Sequence, residues 1–150
     1  MATLGAFAII FDEQRRVLCV RTAYGARRWT NPGGRIEANE SPLAALTREV
    51  LEETGYVIEP GELIGVYAKP YEDDLTLAFT ARIIERRPWT SDDEIEEATF
   101  FPVAALPGPM TNAARARIED GAAGRRGIYR VFATAAEGNG IPTQTGKTGS

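Results

Sequence analysis

The sequence contains no histidine and only one cysteine, Cys19. The absence of histidine excludes a histidine general base, a Ser-His-Asp triad and the common zinc sites that use imidazole ligands. A single cysteine excludes an internal disulfide and is typical of a reducing compartment, so we expect a cytoplasmic protein.

Long hydrophobic runs are also missing. The apolar stretch near the start, MATLGAFAIIF, is too short to cross a membrane and lacks the basic residues of a signal peptide. Acidic residues outnumber basic ones, and the net charge of −4 provides no overall attraction for nucleic acid. The sequence therefore predicts neither a membrane nor a nucleic-acid partner.

The composition is typical of one folded domain. The chain has 150 residues, of which 43% are hydrophobic and 25% charged, and this is enough for a single hydrophobic core. Beyond residue 134 the sequence becomes rich in Gly, Thr and Ser, with no large apolar side chain except Ile141, which is the composition of disordered segments. We therefore predict a domain over residues 1–134 and a disordered tail over residues 135–150.

Strand patterns outnumber helix patterns. A polar DEQRR segment separates two β-rich runs near the start and predicts a hairpin turn. One helix is predicted over residues 43–54, where Ser41 is a suitable N-cap, and a second over residues 112–120. The patterns predict an α/β fold in which a mixed sheet is flanked by helices, with strands over residues 5–11, 17–21, 56–59, 63–68, 75–86, 98–101 and 127–133.

The first predicted helix carries three glutamates near its C-terminal end. When Glu49 is placed at 0° around the helix axis, Glu53 lies at about 40° and Glu52 at about −60°, so the three carboxylates share an arc of roughly 100°. Their charges repel one another, and the helix dipole is unfavourable for anions at this end. A bound divalent cation would remove both penalties.

Oxygen ligands select Mg²⁺ or Mn²⁺ over softer metals, and magnesium keeps waters or substrate phosphates among its ligands. The glutamates therefore predict a metal site that takes a phosphate-bearing partner. A solvated acidic helix end is the alternative, and for E-x-x-E-E alone it is the commoner explanation. The residues around the helix decide between the two.

These residues resemble the signature of Nudix hydrolases, G-x5-E-x7-R-E-U-x-E-E-x-G-U, in which U is a bulky aliphatic residue. The match covers residues 34–56 and departs only at Tyr56, a packing position. The resemblance implies a Nudix-type α/β/α sandwich with a catalytic loop–helix–loop and Mg²⁺-dependent hydrolysis of nucleoside diphosphates linked to another moiety. The defined positions hold Gly34, Glu40, Arg48, Glu49, Val50, Glu52, Glu53 and Gly55.

The resemblance also implies a set of metal ligands. Glu49 and Glu53 correspond to the main ligands and Glu52 to a further one. The carbonyl of Gly33 corresponds to the usual backbone ligand. The expected metal is Mg²⁺ or Mn²⁺, which would shield the diphosphate and lower the pKa of an attacking water.

Other motif positions imply catalytic and supporting roles. Glu53 is our candidate for the general base, with Glu52 as a further catalytic glutamate. Arg48 corresponds to the residue that orients the glutamates by ion pairing. Glu40 supports the metal site or anchors the helix. Gly34 belongs to a turn in which a missing Cβ allows close backbone approach, and Gly55 follows the helix end.

The acidic segment over residues 92–97 holds one more candidate. Glu94 resembles a later-loop glutamate that adds a metal ligand or the base in several Nudix groups. A solvated loop is the alternative explanation, and Asp93 and Glu97 are its near competitors.

Candidate substrate residues lie before the motif and near the second helix. Arg21 and Arg28 could meet phosphates, and Trp29 could stack on a base. Surface solvation for the arginines and core packing for Trp29 are the alternatives. Asn112 resembles the asparagine that precedes the last helix in Nudix enzymes reading a guanine-type base, although it would also serve as a helix N-cap.

The resulting hypothesis is a pyrophosphohydrolase that acts on a nucleoside triphosphate, normal or oxidised, or on a nucleotide-diphosphate conjugate. An ADP-ribose or nucleotide-sugar pyrophosphatase stays open within it. A non-catalytic nucleotide sensor and a protein-interaction module are the rival classes. A monomer and a homodimer are both compatible with the sequence.

Overall fold

The computed structural model describes residues 2–142, which form two β-sheets flanked by helices. The helices are α1 (Pro42–Thr54), α2 (Asn112–Ala122) and the short α3 (Ala135–Asn139). The strands are β1 (Thr3–Ile9), β2 (Arg16–Thr22), β3 (Trp29–Thr30), β4 (Gly33–Arg35), β5 (Tyr56–Lys69), β6 (Asp74–Arg86), β7 (Ile95–Pro102) and β8 (Ile128–Val131).

The larger sheet is mixed, as the sequence predicted. Its order is β4-β1-β6-β5-β8, in which β1 runs parallel to β6 and β5 runs parallel to β8, whereas the other neighbours are antiparallel. The smaller sheet, β3-β2-β7, is antiparallel throughout. The predicted α/β class is therefore confirmed.

The polar DEQRR segment forms a turn, but the two strands beside it belong to different sheets. Asp12 holds the turn, since its carboxylate accepts hydrogen bonds from the backbone N–H groups of Gln14 and Arg16. Antiparallel pairing across the turn is limited to a bridge between Phe11 and Val17. Because β1 has β4 and β6 as its neighbours in the larger sheet, β2 pairs with β3 and β7 instead.

β5 is one long strand where the sequence predicted two. Its pairing with β6 shifts register three times, once across the segment that contains Pro60 and Gly61. A bulge accommodates a proline and a glycine inside a strand, so the residues that were expected to end one strand only bend it.

The two main helices bury opposite faces of β1. Ala6 and Ala8 pack in one cluster with Leu46 and Val50 of α1. Ile9 belongs to a second cluster that includes Ile118 of α2, Trp29 and Tyr67. Successive side chains of a strand point to opposite faces, which explains why one strand contributes to both clusters.

The C-terminal part corrects two predictions. The helix N-cap before α2 is Thr111, whose hydroxyl accepts from the N–H of Ala114 at 3.2 Å, so Asn112 is the first helical residue. The predicted disordered tail begins too early, because residues 135–139 form α3 with Thr134 as N-cap; residues 143–150 of that tail lie outside the described residues. Within residues 2–142, none of the helices has the length and apolar character needed to span a membrane.

Candidate active site

Local caps hold both ends of α1. The Ser41 hydroxyl accepts a hydrogen bond from the N–H of Ala44 at 3.1 Å, and Pro42 occupies the first turn. At the other end Gly55 is left-handed (φ 79°), and its N–H donates to the carbonyl of Leu51. The indole N–H of Trp89 donates to the carbonyl of Glu52 at 2.8 Å. These contacts satisfy the terminal carbonyls and stabilise the turn that carries the glutamates.

Arg48 organises the acidic side chains of α1, as the resemblance implied. Its Nε and Nη2 atoms donate to the two carboxylate oxygens of Glu40 at 2.7 and 2.9 Å, a bidentate pair. Nη1 donates to Glu49 at 2.7 Å, and Nη2 also reaches the carbonyl of Arg35. Hydrogen bonding to Arg48 lowers the pKa of Glu40 to about 2. Arg48 therefore ties the motif glutamate Glu40 to Glu49.

Glu53 is a buried carboxylate without a cationic partner among the residues that the structure describes. It is 9% exposed, and Oε1 accepts a hydrogen bond from the backbone N–H of Gly33 at 3.1 Å. Burial raises the pKa of Glu53 well above its usual value; the neighbouring Glu49 carboxyl, with which it shares a hydrogen bond, and Glu94 add to the increase. Two carboxylates side by side need a proton or a cation between them.

Two glycines allow β4 to lie close to its neighbours. Gly33 has φ 145°, and a Cβ there would lie 2.6 Å from the Cα of Phe7 in β1. At Gly34 a Cβ would lie 2.7 Å from the Cδ of Glu49. The missing side chain of Gly33 therefore permits the close packing of β4 on β1, and that of Gly34 leaves space for the Glu49 carboxylate.

Glu52 differs from its two neighbours. Its side chain is 59% exposed, and its closest charged partner is Arg48 at 3.3 Å. Across residues 2–142 the structure brings no three His, Cys, Asp or Glu side chains together at ligand positions. The convergence of Glu49, Glu52 and Glu53 expected from helix angles is therefore not observed in this part of the chain, because Glu52 extends into solvent whereas Glu53 is buried.

Glu94 lies across a cavity from Glu53. The cavity has a volume of about 230 Å³ and is lined by both glutamates together with Gly33, Gly34 and Phe7. Of its competitors, Glu97 accepts a hydrogen bond from the hydroxyl of Thr99. Glu94 thus shares the cavity with the buried Glu53, and its role as a ligand stays a prediction.

The donor set fits a hard divalent cation. Glu49, Glu53 and Glu94 offer carboxylate oxygens, and an uncompensated buried carboxylate is the feature that a cation would neutralise. The Glu53 oxygen bonded to Gly33 leaves its second oxygen available. Only two or three protein ligands would be supplied, which matches the preference of magnesium for additional water and phosphate ligands.

A second cavity of about 350 Å³ adjoins the first. Both are lined by Phe7, Thr22, Tyr24 and Thr30, and the second also by Arg28 and Trp29. Trp29 is mostly buried and packs edge-to-face on Phe101, with ring centroids 5.0 Å apart. Arg28 and Trp29 are therefore placed beside the glutamates, and Trp29 serves the core as well.

Two predicted substrate residues are positioned differently. Arg21 lies 3.7 Å from Glu96 and 6.0 Å from the Trp29 ring, and it does not line the two cavities. The side-chain amide of Asn112 donates to the carbonyl of Ala136 in α3. Asn112 is therefore engaged by the C-terminal segment, which the sequence had assigned to a disordered tail.

Three residues of this region were missed. Lys69 and Arg117 line the second cavity, and the buried Asn31 accepts a hydrogen bond from Nε of Arg117 at 2.5 Å. A signal was available, because Arg117 interrupts the apolar stripe of α2 at helical spacing. The buried members of that stripe are Ala113, Ala114, Ile118 and Gly121.

Comparison with known proteins identifies the family of the chain. A family model for the NUDIX domain matches residues 1–121. A Bacillus subtilis (strain 168) protein, provisionally named an 8-oxo-dGTP diphosphatase, is 41% identical over 80 residues, which cover 53% of each chain. An ADP-ribose pyrophosphatase of Methanocaldococcus jannaschii is 35% identical over 104 residues, covering 65% of this chain and 61% of the relative.

The fold is also that of a solved structure. The crystal structure of a UDP-X diphosphatase superposes with a TM-score of 0.73 at 22% identity, covering 87% of this chain and 67% of the other. The chain spans less than two thirds of the length of each of these two curated relatives. The family model covers most of the chain, including the signature helix and the buried Glu53, and the chain therefore belongs to the NUDIX family.

Proposed function

We propose that this protein is a Mg²⁺- or Mn²⁺-dependent pyrophosphohydrolase. It cleaves a diphosphate linkage in a nucleoside triphosphate, normal or oxidised, or in a nucleotide-diphosphate conjugate. The products are a nucleoside monophosphate with pyrophosphate or with a phosphorylated moiety. The observation that carries the proposal is the buried Glu53 carboxylate, which lies beside Glu49 and faces a cavity lined by Gly33, Gly34 and Glu94, with no cationic partner of its own among residues 2–142.

The glutamates of the site have two proposed roles, metal binding and proton transfer. A bound divalent ion supplies charge shielding and a more acidic water. Glu49 and Glu53 hold that ion, with the Gly33 carbonyl, Glu52 and Glu94 as the further proposed ligands. Glu53 accepts the proton of the attacking water, since it is a buried carboxylate next to the metal position.

Arg48 positions the Glu49 carboxylate and takes no direct part in the reaction. Its bidentate pair with Glu40 fixes the guanidinium, and its Nη1 atom then fixes the Glu49 carboxylate. Holding a ligand in one rotamer keeps the metal geometry suited to catalysis. Glu40 acts through this contact and reaches the reaction only indirectly.

Two substrate classes remain within the proposal. The relatives named for 8-oxo-dGTP and for ADP-ribose support a triphosphate and a conjugate, respectively. Arg28 and Trp29 adjoin the glutamate cavity and are the proposed contacts for phosphate and base. A sensor domain that binds nucleotide without turnover is the rival function, and an intact set of motif glutamates favours the enzyme. We further infer a nucleotide as the small-molecule partner, with oligomeric state left as monomer or homodimer.

A substrate panel tests the proposal. Hydrolysis is measured with Mg²⁺ on normal and oxidised NTPs, ADP-ribose, NADH, nucleotide sugars and dinucleoside polyphosphates. We expect turnover of one class, abolished by chelation and restored by Mg²⁺ or Mn²⁺. Glu53→Gln should lower kcat at least 100-fold, about 3 kcal/mol of barrier. The exposed Glu59→Gln is the matched control and should leave kcat unchanged.

Binding separates the enzyme from its rivals. Mg²⁺ should raise the Tm of the wild-type protein and have a smaller effect on Glu53→Gln. Tight nucleotide binding without turnover of any compound would support the sensor instead. A Tm that does not respond to Mg²⁺ in either protein would exclude a metal site at these glutamates.

A further inference from the structure

The far end of the cleft carries the opposite charge from the glutamate cavity. The 350 Å³ cavity is lined by Arg28, Lys69 and Arg117, and no carboxylate is found in its lining among the described residues. The whole chain has a net charge of −4. The three cations therefore concentrate positive charge on this lining, where Lys69 has an ion-pair partner, Glu72, that lies outside it. Such a lining attracts anions or hydrogen-bond acceptors.

Arg117 is the unusual member. It is 4% exposed, and its guanidinium lies 4.3 Å from the centroid of the Phe7 ring. Within residues 2–142 its one hydrogen bond runs from Nε to Asn31, and no carboxylate lies within ion-pair distance. Arg117 also lines a third cavity of about 280 Å³ together with Asp74, whose carboxylate accepts a hydrogen bond from the hydroxyl of Thr3 and forms no ion pair with Arg117. Its remaining donors have no acceptor from this part of the chain.

Lys69 lines the same two cavities at the end of β5. Its ammonium donates to the Asn139 side chain at 2.8 Å and lies 3.6 Å from Glu72. Burial lowers the pKa of Lys69, and the positive charge of Arg117 lowers it further. The two cations are thus close enough to repel each other.

A purely structural role does not explain this arrangement. The chain already shows how it satisfies a buried charge: Asp120 receives Arg125, Arg130 and the hydroxyl of Tyr67. Arg117 receives no such partner, although an apolar side chain could pack on Phe7 at lower desolvation cost. The charge is explained if a ligand supplies the acceptor.

We propose that Arg117 and Lys69 form the specificity site of the cleft and bind a group of the substrate that carries only hydrogen-bond acceptors, beyond the diphosphate. The inference rests on the proposed function, since it assigns the end of the substrate that the glutamates do not hold. Two sources share this chemistry. One is an additional phosphate on the linked moiety, and the other is the O6/N7 edge of a guanine-type base, which a guanidinium binds in bidentate geometry.

Paired ligands without metal distinguish these sources. The full chain is titrated calorimetrically in the presence of a chelator with GTP and ATP, which differ in the base edge, and with NADPH and NADH, which differ by one phosphate. We expect at least tenfold tighter binding of GTP over ATP, or of NADPH over NADH, and the discriminating pair identifies the source. Equal affinities within both pairs would overturn the inference.

Variants assign the preference to these residues. Arg117→Met and Lys69→Met keep side-chain length and remove the charge, and each should reduce the preference at least fivefold. Arg126→Met is the matched control, because Arg126 pairs with the exposed Glu62 away from the cleft. The ligand preference of this variant should equal that of the wild type. If the melting curve shows that Arg117→Met does not fold, the ligand preference of Lys69→Met provides the test. An unchanged preference in a folded variant refutes the assignment.

Failure of this inference differs from failure of the proposed function. Glu53→Gln should lose turnover but keep the metal-free preference. A preference without turnover of any compound would support the specificity site and contradict the hydrolase. Turnover with no preference in either pair would support the hydrolase and contradict the specificity site.

Discussion

Glu53 and Asp120 are both buried carboxylates, yet their surroundings are opposite. Asp120 of α2 receives hydrogen bonds from Arg125, Arg130 and the Tyr67 hydroxyl. Burial alone would raise the pKa of Asp120, but these hydrogen bonds outweigh it and the pKa is lowered. Glu53 of α1 has a single backbone donor, and burial together with Glu49 raises its pKa.

The difference distinguishes Asp120, a structural charge that is neutralised within the fold, from Glu53, a charge that a ligand would neutralise. A buried acid with its own cations holds α2, β5 and β8 together and needs nothing from outside. A buried acid beside a second acid is stabilised only when a proton or a cation arrives. Neither burial nor residue type distinguishes the two cases; the partners do.

Turnover should show the largest contrast. Glu53→Gln removes the carboxylate that we propose as metal ligand and general base, so we expect kcat to fall at least 100-fold. Asp120→Asn changes an acid that does not line the cleft, so kcat should change less than threefold under conditions where the variant is folded. Steady-state kinetics on the substrate identified by the panel measures both. Comparable losses in the two variants would remove the distinction between the carboxylates.

Stability should show the reverse order. Asp120→Asn weakens the contacts of two arginines and disturbs the Tyr67 partner, so the free energy of unfolding should fall by about 2 kcal/mol. Urea denaturation without metal measures it. Glu62→Gln, at an exposed ion pair, is the control and should stay within about 0.5 kcal/mol.

Glu53→Gln should instead raise the Tm of the metal-free protein near neutral pH. Because burial raises the pKa of Glu53 in the folded state well above its usual value of 4.5, ionisation costs stability as the pH rises above 4.5 towards the folded-state pKa. The Tm advantage of the variant should therefore grow over that interval and vanish below it. Melting curves from pH 4 to 8 test this, and an advantage that shrinks with rising pH would contradict the sign of the shift.

A glycine substitution should separate geometry from stability. In Gly34→Ala the new Cβ would overlap the carboxylate of Glu49, the movable end of a side chain, so the fold adjusts by displacing that ligand. We expect the Mg²⁺ concentration that gives half-maximal activity to rise about tenfold, while the Tm stays within a few degrees of the wild type. Magnesium titrations of activity and of Tm measure the two effects. Unchanged Mg²⁺ dependence would show that Glu49 does not bind the metal.

The smallest effect should come from the well-paired Glu40. Hydrogen bonding to Arg48 lowers the pKa of Glu40 in the folded state from its usual value of 4.5 to about 2. The Glu40–Arg48 pair therefore contributes stability above pH 4.5, and this contribution is lost as the pH falls towards 2. The stability difference between wild type and Glu40→Gln should shrink over that interval in acid-range denaturation. A stability difference that stays constant from pH 4.5 to 2 would show that ionisation of Glu40 does not cause it.

Much of the fold could be predicted because its signals are local. The caps Ser41 and Gly55 define α1 almost to the residue. The turn at Asp12 was also correct. The pairing of β2 with β7 instead of β1 could not be predicted, because pairing depends on how the sheets share the buried surface. α3 was missed since its sequence is small and polar and is ordered by contacts such as Gly138 against Tyr71.

The candidate site divides in the same way. Helix periodicity and the motif spacing predicted Arg48, Glu49, Glu52 and Glu53 as site residues, and the structure shows Arg48 in contact with Glu49 and Glu52. Periodicity places Glu52 about 100° around the helix from Glu53, and the structure leaves Glu52 in solvent, so its role as a ligand stays a prediction. Burial of one glutamate and exposure of the next depend on β4, which lies about twenty residues earlier and approaches one side of the helix.

The sequence by itself determined the family, the helix with its caps, the arginine that aligns the glutamates and the acidic character of the site. Only the tertiary structure decided which carboxylates lack a partner, that Arg117 meets Phe7 and Asn31, and that Lys69 lines the same cavities. The physical reason is distance along the chain. Hydrogen bonds within a helix turn follow from local spacing, whereas the balance of buried charge is set where residues from separate strands and helices meet.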